Sequence, residues 1–462
     1  MASSKLSFRS ALLPEGWKDD VVIAIDRDSG TISSIETAPN RAETTPKRTE
    51  AATGVAIPAM ANVHCHAHQR LITGLAEKAG PGADTFWTWR EIMYRFALKL
   101  GPDDLEAVAA QAYVEMLKAG FSAVGEFQYL HHRPNGQPYD NPAEMSLRCL
   151  AAAEEAGTAI TMLPSLYRYG GFGAKPPDEG QRRFINDADS YLKILEILKE
   201  SCTGGLRRLG IAPHSLRAVD APLIFSVVAA LGTALPIHIH VAEQLKEVED
   251  CLQSTGQRPV EYLLNTFDVS KNWCAIHATH MTVAETMRLA ASGAIAGLCP
   301  MTEANLGDGI FPAEPFLAGG GRFGIGSDSN IAIDAAAELR QLEYAQRLRH
   351  HARNVLAGEA GQSTGRRLYD GALAGGAQAL GRRIGSLAPG RRADIVVLDA
   401  NHPDLAGRSE DSWLDAYVFV AGGQMVQTVL VGGATLVSEG RHRARATIKE
   451  RYRKVVTRLV RK

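Results

Sequence analysis

The chain has 462 residues, 45% hydrophobic and 22% charged, enough to bury a large core in one big domain with an accessory or in two to three ordinary ones. Its 50 Lys and Arg against 51 Asp and Glu leave a formal net charge of -1, so no global attraction to nucleic acid or to an anionic membrane is expected. Six scattered cysteines (Cys65, Cys149, Cys202, Cys251, Cys274, Cys299) show no CxxC spacing, which argues against a disulfide framework or a thiolate zinc site and points to a reducing compartment.

Met1-Ala-Ser-Ser-Lys-Leu6 lacks the basic region and apolar core of a secretory signal, so a cytoplasmic location is expected. Residues 21–36 read as two short strands around Asp28-Ser-Gly30, and a polar, Thr-rich link follows over 37–53. From 55 to about 384, apolar strands alternate with helical segments. Candidate strands lie at 57–63, 121–127, 158–164, 209–213, 237–241, 274–277, 295–299 and 323–326. Eight strands with intervening helices predict an α/β fold, a TIM-type (β/α)8 barrel. The stretch 221–242 carries no Asp, Glu, Lys or Arg and is long enough to raise a membrane span. Gly232, Pro236 and two histidines break it, so a buried helix followed by a buried strand is expected. Strands return at 393–398, 426–431 and 434–437, the last two around the hairpin signal Gly432-Gly433, and a basic helix closes the chain over 448–460. The two β-rich ends are expected to pair into a small β-sandwich domain from 1–55 and 385–462, beside a barrel over 56–384.

The richest motif is Asn62-Val-His-Cys-His-Ala-His-Gln-Arg70, at the end of an apolar run. On a strand, residues two apart share a face, so His64 and His66 can grip one ion together. Neutral imidazole is the commonest ligand of Zn²⁺, and a catalytic zinc keeps a position for water. Further candidates sit at the C-terminal ends of other strands, where barrel enzymes carry their chemistry. They are His238 and His240 in the fifth, His277 in the sixth and Asp328 after the eighth. Alone, Asp328 reads equally well as a turn residue; four strand ends meeting at one mouth favour a shared site. The fourth strand carries no Lys that could become a carbamylated bridge, which favours one metal over two. Glu243 lies three residues after His240 and faces the other way on a regular strand, so the strand must end or bulge near Val241 to turn it inward; a solvated Glu is the alternative. His277 is open between a fourth ligand and a hydrogen-bonding partner of the reacting water. His238 reads as an interior histidine and His280 as structural, while His131-His132 and His350-His351 read as ordinary polar residues. Gly319-Gly-Gly-Arg-Phe-Gly324 fits GxGxxG but precedes a strand, which excludes a dinucleotide fingerprint, and Walker A, HExxH and GxSxG are absent.

His64-Cys-His66, His240, His277 and Asp328, in this order, resemble the single-metal deaminase branch of the amidohydrolase superfamily. Residues 384–399 (Ile-Gly-Ser-Leu-Ala-Pro-Gly-Arg-Arg-Ala-Asp-Ile-Val-Val-Leu-Asp) resemble that superfamily's companion domain. The strings beginning at Asp84 (DTFWTWREIMYR), Val124 (VGEFQYLHH), Ala212 (APHSLR) and Gly326 (GSDSN) are similar to the formiminoglutamate deiminases of histidine breakdown. The resemblance covers essentially the whole chain and departs at Cys65, where Ser is expected, and at His68, where an aromatic is expected.

The resemblance implies one Zn²⁺ per chain, with Fe²⁺ or Ni²⁺ as alternatives for such an N/O set, on His64, His66, His240 and Asp328. It implies proton chemistry by Asp328, Glu243 and His277. Arg217 and Tyr129 are expected to hold one substrate carboxylate and Arg90 the other, with Gln69 and His214 facing the formimino group. A homodimer is implied as well, with a small-molecule dicarboxylate as substrate. The runner-up is deamination of a purine, pyrimidine or related heterocycle on the same ligands, which has no need of Arg90 and Arg217. A catalytically dead barrel used for assembly is a third reading, opposed by the intact ligand set.

Overall fold

The computed structural model describes residues 3–37, 54–232 and 235–461. Its centre is a parallel barrel of strands Met60–Cys65, Phe121–Gln128, Ala159–Leu166, Arg207–Leu209 continued by Ala212–Pro213, Ile237–Val241, Trp273–His277, Ile295–Leu298 and Arg322–Ile325. Ile325 pairs with Asn62, and Ile211 and Ser215 bridge to Ile237 and His240, so the ring closes. Side chains fill the inside and helices cover the outside, which is why Phe121–Gln128 and Ala159–Leu166 are buried at every residue. The covering helices carry local start signals. Pro102–Lys118 begins with Pro in its first turn, and Asp104 accepts the Gly101 N–H at 3.1 Å. Ala188–Ser201 is capped by Asp187, whose carboxylate accepts the Ser190 N–H at 2.9 Å.

Both chain ends build the separate β-sandwich. Its strands run in the order Arg441–His442, Ala434–Ser438, Val426–Val431, Ile395–Leu398, Val55–Pro58, Ser3–Leu13, Gly16–Asp26 and Thr31–Thr37. Leu6, Phe8, Ile23, Ile395 and Leu430 belong to its core. The turn at Asp28-Ser-Gly30 forms as expected. Asp26 Oδ1 accepts the N–H groups of Asp28 and Ser29, and Gly30 takes φ 68°.

Three expectations need correction. The run 57–63 is not one strand: Val55–Pro58 belongs to the terminal sheet, and the barrel strand begins at Met60 after Ala59, whose N–H reaches Asp394 O at 3.0 Å. Both segments are apolar and buried, so the pattern does not register the change of sheet. The helix within 221–242, Ala221–Leu231, is not buried; it buries Ile224 and Val227 and leaves Phe225 49% exposed. The first strand, Ser3–Leu13, was not foreseen. The Thr-rich link lies outside the described residues from 38 onward. No described helix is long and apolar enough to cross a membrane.

Candidate active site

The first barrel strand, Met60–Cys65, ends by delivering His64 and His66 to the C-terminal mouth of the barrel, with ring centroids 4.6 Å apart. The fifth delivers His240, whose Nε2 stands 3.1 Å from His64 Nε2. The loop after the eighth delivers Asp328, with Oδ1 at 3.4 Å from the Nε2 of both His64 and His66. Backbone carbonyls fix the imidazoles from behind: His66 Nδ1 lies 2.8 Å from Phe127 O, and His240 Nδ1 lies 2.9 Å from His214 O. Each ring therefore donates through Nδ1 and turns a bare Nε2 inward. Asp328 is held just as firmly. Its N–H donates to His64 O at 2.9 Å, its carbonyl accepts from His66 N–H at 3.0 Å, and Asn330 Nδ2 donates to the same carbonyl.

The chain turns sharply at these strand ends. Ala242, His277, Ala278, Asp328 and Asn330 all have positive φ, a costly conformation for residues with a Cβ that collects at functional sites. At Ala242 the turn answers the question of Glu243. The strand stops at Val241, Ala242 takes φ 51°, and Glu243 swings to the cavity wall. Glu247 holds this turn, accepting the N–H groups of Ala242 and Glu243 at 3.1 Å each.

His277 ends the sixth strand with Nε2 at 3.7 Å from Glu243 Oε1 and 3.9 Å from Asp328 Oδ2, and with Nδ1 at 3.3 Å from Glu303 Oε1. Its position suits either role left open for it, because one set of close donor atoms is His64, His66 and Asp328, and another is His64, His240 and His277. A third set, His277, Cys299 and Asp328, adds a thiol that burial keeps protonated.

Burial dominates the electrostatics. It pushes His64 down to about 3 and lowers His66 and His240, so these rings stay neutral. Burial also works to raise Asp328, yet the neighbouring imidazoles of His64, His277 and His66 hold it below the ordinary carboxylate range. Burial lifts Glu243 to about 7, against the pull of His277 and Arg217. For His277 burial opposes protonation, but Glu243, Glu303 and Asp328 carry it up to about 10.

Above this cluster lies a cavity that reaches down to His66, His240, His277 and Asp328. Gln69, Arg90, Tyr129, His214 and Arg217 all line it together with Glu243, so every expected substrate-side residue faces one space. Gln69 Nε2 donates to Tyr129 Oη at 2.8 Å, and His214 Nδ1 contacts Ser215 Oγ at 3.0 Å. The Arg90 guanidinium lies over Trp87 at 4.5 Å and Tyr94 at 5.3 Å. Among the described residues, no carboxylate forms an ion pair with Arg90 or Arg217.

The two departures from the resemblance fall outside the donor set. Cys65 Sγ packs at 3.7 Å from Asn330 Oδ1. The His68 ring lies edge-on to Tyr129 at 4.8 Å and 90°, with neither nitrogen hydrogen-bonded, which is the packing of an aromatic side chain. His238 is interior as expected, with Nε2 at 2.9 Å from Ala379 O. His350 and His351 are exposed, whereas His131 and His132 are buried staples on Ser165 O and Ile185 O, contrary to the expectation of ordinary polar residues. Sequence reasoning missed Glu247 and Glu303. Each accepts an N–H at a strand end from a position four residues further on, Glu243 and Cys299 respectively, and that spacing is the signal that marks them.

The amidohydrolase family model matches residues 55–436. The chain is 50% identical over 432 residues to formimidoylglutamate deiminase of Pseudomonas aeruginosa, covering 94% of each. It is 27% identical over 445 residues to a 5-methylthioadenosine/S-adenosylhomocysteine deaminase of Natronomonas pharaonis, covering 95% of this chain and 93% of the other. Among solved structures it is similar to an amidohydrolase from Brucella melitensis, with TM-score 0.92, 49% identity and coverage of 99% and 100%.

Proposed function

The chain belongs to the amidohydrolase family, and from that we propose that it hydrolyses N-formimino-L-glutamate to N-formyl-L-glutamate and ammonia. His64, His66, His240 and Asp328 would hold one divalent ion per chain, Zn²⁺ in this reading, with Fe²⁺ or Ni²⁺ as alternatives. The donors fit it: three imidazoles kept neutral by burial turn Nε2 inward, and a carboxylate kept ionised supplies oxygen. Such an ion, when bound, lowers the pKa of a water from about 16 to roughly 7 and so supplies the nucleophile at neutral pH.

The chain's own groups do the rest. Asp328 accepts the proton of the attacking water as its oxygen bonds to the formimino carbon. Glu243, lifted by burial to about 7, is poised to give up and take back a proton near neutrality, and it protonates the departing nitrogen. As the C–N bond breaks, the proton held by Asp328 completes the leaving ammonia, Glu243 takes back the hydroxyl proton as the formyl C=O forms, and the nitrogen attached to glutamate stays. His277, between Glu243 and Asp328, hydrogen-bonds the reacting oxygen. Arg217 and Tyr129 hold one carboxylate and Arg90 the other; Gln69 and His214 face the formimino group. Tyr129 Oη accepts from Gln69 and donates to Met93 Sδ at 3.5 Å, a weak acceptor that a carboxylate can replace.

The observation that carries the dicarboxylate reading is the pair of half-buried guanidinium groups lining one cavity with no carboxylate at ion-pair distance among the described residues. Planar guanidinium forks match carboxylates. The test is ammonia release by metal-replete protein from formiminoglutamate, guanine, cytosine and adenosine. Turnover of formiminoglutamate alone supports the proposal, and turnover of a heterocycle in its place makes the chain a heterocycle deaminase. A homodimer in the cytoplasm belongs to the same reading, and light scattering reads the dimer.

A further inference from the structure

One buried acid next to the reacting groups has no part in that chemistry. Glu303 lies on the short helix Pro300–Leu306, after the seventh strand, and is 4% exposed. Its Oε1 accepts the Cys299 N–H at 2.9 Å, which seats the carboxylate against the end of its own strand. The same oxygen lies 3.3 Å from Nδ1 of His277, on the neighbouring strand. The opposite nitrogen of that ring, Nε2, faces Glu243 and Asp328. His277 is the last residue of its strand, paired with Val241, and the backbone turns there, with φ 66° at His277 and 48° at Ala278. The other buried acids nearby are engaged elsewhere: Glu338 accepts the Met301 N–H, and Asp308 accepts from Gln244.

We infer that Glu303 is the positioning residue for His277, accepting its Nδ1–H so that Nε2 stays turned toward the substrate. An imidazole free at Nδ1 can rotate about χ2, and that motion removes the nitrogen that faces Glu243 and Asp328. The carboxylate prevents it, because it accepts and cannot donate. This role differs from helix capping. A glutamine at 303 still offers a neutral oxygen to the Cys299 N–H and to His277 Nδ1, but without the charge that makes the bond to His277 strong. The kinetic part of this inference rests on the proposed deimination; the hydrogen-bond part does not.

The experiment uses the Zn²⁺-loaded protein and E303Q in two backgrounds, wild type and H277N. E303Q is expected to lower kcat on formiminoglutamate about 10- to 100-fold, the usual cost of losing a partner behind a site residue. KM is expected to stay within about threefold, with melting temperature and metal content as in the wild type. In the H277N background E303Q is expected to cost nothing further, because its effect passes through that ring. Selective ¹⁵N-histidine NMR is expected to show the His277 Nδ1–H in a strong hydrogen bond in the wild type and in a weaker one in E303Q. An equal loss in both backgrounds, or an Nδ1–H signal unchanged by E303Q, overturns the inference. Should the wild type leave formiminoglutamate untouched, the proposed function fails, and the NMR comparison alone decides the role of Glu303.

Discussion

The Nε2 atoms of His64 and His240 stand 3.1 Å apart, although 176 positions separate them in the chain. Neutral His240 turns its one proton through Nδ1 toward His214 O and so offers a bare Nε2, while His64 Nδ1 has no hydrogen-bond partner. With the His64 proton on that nitrogen, both Nε2 atoms are left to a cation between them. The folded protein is therefore expected to bind metal that the unfolded chain does not. At free metal 100-fold above Kd, the gain is about 2.7 kcal/mol. Calorimetry of chelated and Zn²⁺-restored protein checks this: the chelated protein should melt lower and recover on restoration, whereas identical melting contradicts it.

The substrate pocket is tested at its cations. Arg217 and Arg90 both face the cavity without an ion-pair partner among the described residues. Each guanidinium can make two charge-assisted hydrogen bonds to a carboxylate, at roughly 1.5–3 kcal/mol apiece, so Arg217→Met should lower kcat/KM on formiminoglutamate by about 10²–10⁴-fold. Arg90→Met should act in the same direction, and metal content should not change in either variant. Steady-state kinetics with an unaltered kcat/KM for Arg217→Met refutes the dicarboxylate pocket.

Glu126 gives a pH signature in stability. Burial lifts its carboxyl from 4.5 to about 7, while the Ala67 N–H and the Tyr113 hydroxyl hydrogen-bond it. The folded protein thus keeps a proton that the unfolded chain releases near 4.5. The resulting stabilisation is full below pH 4.5 and fades as pH rises toward 7. Glu126→Gln retains an acceptor for Ala67 and cannot ionise. The stability of wild type minus variant should fall between pH 4.5 and 7 and be level above that. Denaturant titrations showing no slope across this window contradict the buried neutral acid.

Gly326 is tested by adding one methyl group. A Cβ there would stand 2.8 Å from both Cβ and O of His64. Backbone cannot yield without moving the ligand, so Gly326→Ala should weaken metal binding about 10- to 100-fold. Competition against a chromophoric chelator reads this, and wild-type affinity contradicts it.

Much of this site was legible in the sequence because each ligand is adjacent to a strand end, and strand ends of one barrel meet at one mouth. His64 and His66 declared themselves by their spacing of two, and Glu243 by the need for a turn that Ala242 supplies at φ 51°. Glu303 and Glu247 were missed although each lies four residues past the strand-end N–H it accepts, because that spacing recurs on any helix, and the contact of Glu303 with His277 depends on the register between neighbouring strands. The passage from terminal sheet to barrel at Ala59 was hidden for a related reason. Val55–Pro58 and Met60–Cys65 are both buried throughout, and hydrophobicity does not say in which sheet a strand is buried. The Ala221–Leu231 helix was misjudged because absence of charge was read as burial, yet only one stripe of it packs inward.

Anomalous diffraction at the zinc edge from crystals grown with Zn²⁺ tests the central claim most directly. The account predicts one peak per chain, about 2.0–2.2 Å from Nε2 of His64, His66 and His240 and from a carboxylate oxygen of Asp328. A peak held instead by His277 and Cys299, or none among these residues, contradicts it.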